Sequence, residues 1–148
     1  MDYSQLVSQL DAVTDGVENN ISNLANAAAL LYRGLEDVSW AGFYIADGDT
    51  LALGPFQGKI ACTGIAKGRG VCGAAFETGK TAVVPNVHEF EGHIACVAES
   101  NSEIVVPLFK GGDVFGVMDI DSTSFGRFGE SDREGLERFA RLLESRLI

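Results

Sequence analysis

Three cysteines stand in glycine-rich stretches: Cys62 after GPFQGKIA, Cys72 within GRGVCGAA and Cys96 at the end of GHIAC. Cysteine reacts as its thiolate, so the question is what stabilises the anion at each place. Cys72 falls in the first turn predicted for a short helix, where free N–H groups and the helix dipole favour negative charge. His93 precedes Cys96 by three residues and offers an imidazole that can stabilise a thiolate. A lone cysteine is more often buried and inert. Three of them in glycine-rich segments shift the reading towards redox chemistry. The three sulfurs with His93 would also make a Cys3His set for zinc. No Cys-x-x-Cys knuckle is present, however, and the spacings match no structural zinc pattern, so no metal is expected.

Acids supply the second kind of chemistry. In VFGVMDID the period of two puts Asp119 and Asp121 on the same side of a strand. Glu103 opens the apolar run EIVVPLFK, and a hairpin between the two runs brings it to the end where Asp121 sits. Solvated strand-end acids are the plain alternative. If the three do crowd together, at least one pKa rises, giving a carboxyl able to donate a proton near neutrality. In WAGFYIA, Phe43 and Ile45 share one face and Trp40, Gly42 and Tyr44 the other, allowing a bulge near Trp40. Glycine between two aromatics leaves a cleft floored by backbone with Trp40 and Tyr44 as walls; ordinary core is the competing reading.

The elements that must position these residues follow from periodicity. Tyr3 to Leu35 reads as two helices: Leu6, Leu10 and Val13 repeat at helical spacing, as do Ile21, Leu24, Ala28 and Leu31, with a break near Asp15-Gly16. Trp40–Ala46 is strand-like and turns at Asp47-Gly48-Asp49 into a return strand, Thr50–Leu53. Residues 54–70 are predicted to be a glycine-rich loop, Val71–Thr78 a short helix closed by Gly79, and Thr81–Val84 a strand stopped by Pro85. A second long loop, Asn86–Ser102, leads to the hairpin of Glu103–Lys110 and Val114–Asp121 across Gly111-Gly112-Asp113. A last helix opens at Glu130-Ser131, where Ser131 and Glu134 have capping-box spacing. Tight turns between neighbouring strands imply a mainly antiparallel sheet with helices on one side, an α+β class.

A chain of 148 residues with 46% apolar content and a mean hydropathy of +0.12 suits one domain, residues 1–148, with one core. The apolar runs stop well short of the ~20 residues of a membrane span. The N-terminus lacks the basic flank and apolar stretch of a signal peptide, so the cytoplasm is the expected location, where a permanent disulfide framework is not expected. The net charge of −10, with eleven scattered Lys and Arg, argues against nucleic acid and anionic membranes. Small molecules and other proteins remain as partners, and a homodimer is compatible with the chain.

The run GPFQGKIACTGIAKGRGVCGAA, followed by VVPNVHEFEGHIAC, SNSEIVVPLF and GVMDIDS, resembles the free methionine-(R)-sulfoxide reductases, a GAF-domain family. The resemblance spans roughly Trp40 to Phe128, with helices in the expected places on either side. It implies a GAF fold: a central antiparallel sheet, helices on one face and a ligand pocket on the other. It places the nucleophile at Cys96, candidate resolving thiols at Cys62 and Cys72, substrate-contacting acids at Glu103, Asp119 and Asp121, and pocket aromatics at Trp40 and Tyr44. Cys72 meets the physical requirements of a nucleophile as well. The chain departs from the family pattern at Glu91, where proline is usual, and at Val97, which replaces an acidic residue beside Cys96.

The activity implied is reduction of free methionine sulfoxide through a sulfenic acid and a disulfide. An external dithiol such as thioredoxin would recycle the enzyme, with no cofactor. The alternatives are a GAF sensor module without catalysis, binding a cyclic nucleotide or tetrapyrrole, and a zinc-stabilised interaction domain.

Overall fold

Hydrophobic residues at helical spacing and period-two runs fold into the elements they specify. The computed structural model describes residues 2–94 and 99–148. Helices α1 (Tyr3–Thr14) and α2 (Asn20–Gly34) lead into strands β1 (Trp40–Asp47), β2 (Thr50–Gln57) and β3 (Gly64–Ala66). Helix α3 (Gly70–Thr78), strand β4 (Ala82–Val84), a 3-10 turn (Val87–Glu89), strands β5 (Ser102–Lys110) and β6 (Asp113–Ser122) and helix α4 (Glu130–Ser145) follow. The strands make one antiparallel sheet in the order β3-β2-β1-β6-β5-β4.

The helix starts have clear causes. The Asp2 carboxylate accepts from Gln5 N at 2.8 Å and Asp2 N donates to Gln5 Oε1 at 3.1 Å, a reciprocal cap for α1. Asn19 caps α2 by accepting from Ser22 N at 3.0 Å. For α4 the expected Ser131–Glu134 box is corrected: the helix starts two residues earlier than that box requires. Gly129 is the N-cap, and its N–H donates to Asp132 Oδ2 at 2.9 Å. The β5–β6 hairpin turns on Gly111 and Gly112, at φ 62° and 87°, flanked by the pair Lys110 and Asp113. Both turn residues therefore occupy the left-handed region that glycine enters without strain.

Two differences from the sequence reading bear on the site. Residues 54–70 are not all loop: β2 runs on to Gln57, and Gly64–Ala66 returns as the edge strand β3. The bulge anticipated near Trp40 falls instead on β2, which fits one extra residue between the partners of Gly42 and Tyr44.

Strand alternation separates two cores. Ala41, Phe43, Ile104, Val106, Leu108, Met118 and Ile120 point to α1, α2 and α4, against Leu6, Leu10, Leu31, Leu136, Phe139 and Leu143. On the opposite face Trp40, Tyr44, Val105 and Val117 pack with Val71, Cys72, Ala75 and Phe76 of α3. Thus α1, α2 and α4 back the sheet while α3 sits on the pocket side. No helix among the described residues is long and apolar enough to cross a membrane.

Candidate active site

The β5–β6 hairpin brings the acids together, with β1 along its other edge. β6 pairs with β1 on one side and β5 on the other, so Trp40 lies opposite Asp121 and Gly42 opposite Asp119. Glu103 lies opposite Asp121, and Val105 opposite Asp119. Three carboxyls thereby share one face over two strands, as the period of two predicts. They are not the solvated strand ends of the plain alternative: Glu103 is 8% exposed and Asp119 and Asp121 are 5% each.

Their electrostatics are unusual for a surface of this charge. Among the described residues no Lys or Arg forms an ion pair with any of the three. Asp119 Oδ1 and Asp121 Oδ1 are buried with no hydrogen-bond partner. Burial, then the charge of Asp119, holds the Glu103 carboxyl well above the usual carboxylate range. Asp119 is pushed up by burial and then by Asp121, and Asp121 by burial and then by Glu103. Shifts in this direction favour the neutral carboxyl, and a cation in the pocket would offset them.

Cys72 sits against this cluster from α3. Its Sγ lies 3.9 Å from Glu103 Oε2, and the ligating atoms of Cys72, Glu103 and Asp119 all fall within 4.8 Å of one another. The expectation of a stabilised Cys72 thiolate is corrected. The residue is in the first turn of α3 as read, but burial and then the charges of Asp119 and Glu103 push its thiol up. Close carboxylates and desolvation outweigh the modest dipole effect.

The aromatic wall also differs from the open cleft expected. A Cβ on Gly42 would collide with Phe56 Cβ and stand 2.8 Å from Trp40 Cη2. Glycine thus lets the indole and Phe56 lie directly over the strand. Trp40 stacks on Phe56 at 5.3 Å between centroids and on Tyr44 at 6.0 Å. Trp40 Nε1 donates to Lys59 O at 3.0 Å and the Tyr44 hydroxyl to Cys62 O at 3.1 Å, fixing the 58–63 loop over the pocket. Burial, then Asp119, drives the Tyr44 phenol upward, so it stays a neutral donor.

Both long loops reach the pocket, whose lining includes Ala61, His93, Ile94 and Ser100 besides the residues above. Gly70 N donates to Gly92 O at 3.2 Å, and the exposed pair Lys59 and Glu99 bridges the loops at 2.6 Å. Cys62 is half-buried and disulfide-bonded, whereas Cys72 is a free thiol. Cys96 lies outside the described residues, as does Val97. His93 has its pKa lowered by burial and then by His88, so its ring is neutral at physiological pH. Arg69, on the pocket lining, is a residue the sequence reading passed over. Its signal was its place in GRGVC, a cation directly ahead of a cysteine-bearing helix.

A sheet backed by three helices, with a roofed pocket on its other face, is the layout of a GAF domain, and residues 9–147 match the GAF domain family. The chain is 51% identical over 142 residues to the free methionine-R-sulfoxide reductase of Escherichia coli K12, covering 96% of this chain and 86% of that protein. It is 42% identical to the Saccharomyces cerevisiae enzyme of the same name, over 97% of this chain and 84% of that one. The crystal structure of free methionine-R-sulfoxide reductase from Neisseria meningitidis in complex with its substrate superimposes with a TM-score of 0.94 at 44% identity. It covers 97% of this chain and 87% of that one. Within the GAF domains, this chain belongs to the free methionine-R-sulfoxide reductase family.

Proposed function

We propose that this protein reduces free L-methionine-(R)-sulfoxide to methionine with cysteine thiols. The observation that carries the reading is the carboxyl cluster: three buried acids, no cationic partner among the described residues, and unpaired Asp119 and Asp121 oxygens facing an aromatic wall. A small ligand with an ammonium group would supply the missing charge, and Trp40 and Tyr44 would add a cation–π contact.

The chemistry then follows from thiol reactivity. The Cys96 thiolate attacks the sulfoxide sulfur while a protonated carboxyl of the cluster protonates the sulfoxide oxygen. The resulting hydroxyl passes from the methionine sulfur to the Cys96 sulfur as the transient sulfur–sulfur bond breaks, leaving a Cys96 sulfenic acid and methionine. The upward direction of all three carboxyl pKa values, set first by burial, favours holding such a proton. A second thiol condenses with the sulfenic acid, forming a disulfide and water. Cys62 fits that role: it carries a disulfide and sits on a loop held over the pocket, while Cys72 is a free thiol pinned among carboxyls. An external dithiol such as thioredoxin returns the enzyme to its thiol form.

Incubation with racemic free methionine sulfoxide and a dithiol, with separate quantification of methionine and each diastereomer, tests the activity. Consumption of the R form alone is expected. No methionine release would leave a binding module. The cysteine roles separate in single turnover. Cys96→Ser should abolish methionine release, and Cys62→Ser should release about one equivalent and stall. First-turnover release that survives Cys96→Ser but not Cys72→Ser would transfer the nucleophile to Cys72.

A further inference from the structure

Cys72 has no task in that scheme, yet its sulfur lies beside two buried acids. We infer that Cys72 Sγ and one carboxylate oxygen each from Glu103 and Asp119 form a site for a thiophilic divalent cation, Zn2+ above all, whose occupancy blocks the substrate pocket. The donor set is soft sulfur plus two hard oxygens on three separate elements, α3, β5 and β6. That origin explains why no ligand spacing is visible in the sequence. The three donor atoms already lie within 4.8 Å of one another. Zn–S near 2.3 Å and Zn–O near 2.1 Å at tetrahedral angles place donors about 3.5 Å apart, so side-chain rotations of about 1 Å complete the site.

An observation outside the three donors points the same way. Asp121, 5% exposed, aims an unpartnered Oδ1 into the same pocket, where it can take a fourth position or accept from a metal-bound water. Binding forms one metal–sulfur and two metal–oxygen bonds. It expels the thiol proton and any proton on Glu103 and Asp119 to solvent, with no change in oxidation state. A 2+ ion then balances most of the charge that burial otherwise penalises. Competition with methionine sulfoxide rests on the function proposed above, whereas cation binding itself does not.

The test uses the full chain as the Cys62→Ser/Cys96→Ser variant, in which Cys72 is the remaining thiol. Titration with Cd2+ should raise a thiolate-to-cadmium absorption band in the near ultraviolet that saturates at about one equivalent, with proton release, and Zn2+ should displace it. Adding Cys72→Ser should remove the band. Adding Asp119→Asn, which keeps the thiol and serves if the serine variant does not fold, should weaken binding at least ten-fold. Absence of the band, or equal Zn2+ retention by the Cys72→Ser protein in equilibrium dialysis, overturns the site. Free methionine sulfoxide should raise the apparent cadmium Kd in proportion to its concentration. A one-to-one band that the sulfoxide leaves unmoved refutes the shared pocket and counts against the substrate placement, not against the metal donors.

Discussion

The two faces of one sheet are built from alternate residues of the same three strands and have opposite characters. The helix-backed face is aliphatic and aromatic throughout: Phe43, Ile104, Val106, Met118 and Ile120 meet α1, α2 and α4, all fully buried. The pocket face, one residue out of step, carries Trp40, Tyr44, Glu103, Asp119 and Asp121 beside Cys72. Burial on the first face stabilises by about 1.5–3 kcal/mol per large side chain. Burial on the second leaves carboxyls without counter-charge and acts against stability. One face stabilises the fold so that the other can hold groups that weaken it, and substitutions on the two should part company in what they damage.

The largest effect is expected on the helix side. Phe139→Ala empties a fully buried ring from α4 and should cost about 3–5 kcal/mol, read as a lower denaturant midpoint at an unchanged slope. The protein that remains folded should keep kcat/KM within about two-fold. A mutant that instead loses activity at full stability would break the division between the faces.

Asp119→Asn should do the reverse. It removes one of three crowded acids while keeping the shape, so stability holds or rises. Activity on free methionine sulfoxide should fall about 100-fold, equivalent to about 2.7 kcal/mol of transition-state stabilisation. Thermal denaturation and steady-state kinetics on the same preparation separate the two outcomes.

A smaller effect is expected from pH. Asp119 is faced by Glu103 from β5, Asp121 on its own strand, Tyr44 from β1 and Cys72 from α3, and its folded pKa is raised by burial and by Asp121. A carboxyl raised on folding contributes stability that is fully present below its unfolded pKa, near 4. That contribution is lost as pH rises through the folded value. Wild type should therefore lose ground to Asp119→Asn between pH 5 and pH 8, by about 1 kcal/mol or more. A difference that stays constant over that range would mean the cluster does not titrate as described.

Much of this division can be read from the amino-acid string because period two is a strong signal in β1, β5 and β6. The grouping of Trp40 with Tyr44 and of Glu103 with Asp119 and Asp121 follows from counting residues. What counting does not reveal is contact across elements. The helix position of Cys72 by itself points to a stabilised thiolate, but burial and then the carboxyls of β5 and β6 outweigh the helix dipole. The floor at Gly42 looked open because Phe56, from a β2 longer than its sequence suggested, was not placed against it. Arg69 gave no periodic signal, and the Lys59–Glu99 bridge joins residues 40 apart in sequence. The α4 cap lies two residues ahead of Ser131, at Gly129, which carries no side chain to advertise a cap.

In the proposed function the buried carboxyls recognise an ammonium group, which a methionine sulfoxide inside a polypeptide lacks. An acid cluster left unpaired by the wrong ligand should cost at least a hundred-fold in affinity. The decisive measurement is kcat/KM for free L-methionine-(R)-sulfoxide against the same compound acetylated on nitrogen and amidated on carbon. A preference of at least about 100-fold for the free amino acid is predicted, collapsing in Asp119→Asn. Equal kcat/KM on the free and blocked compounds would contradict it and reduce the acids to proton donors.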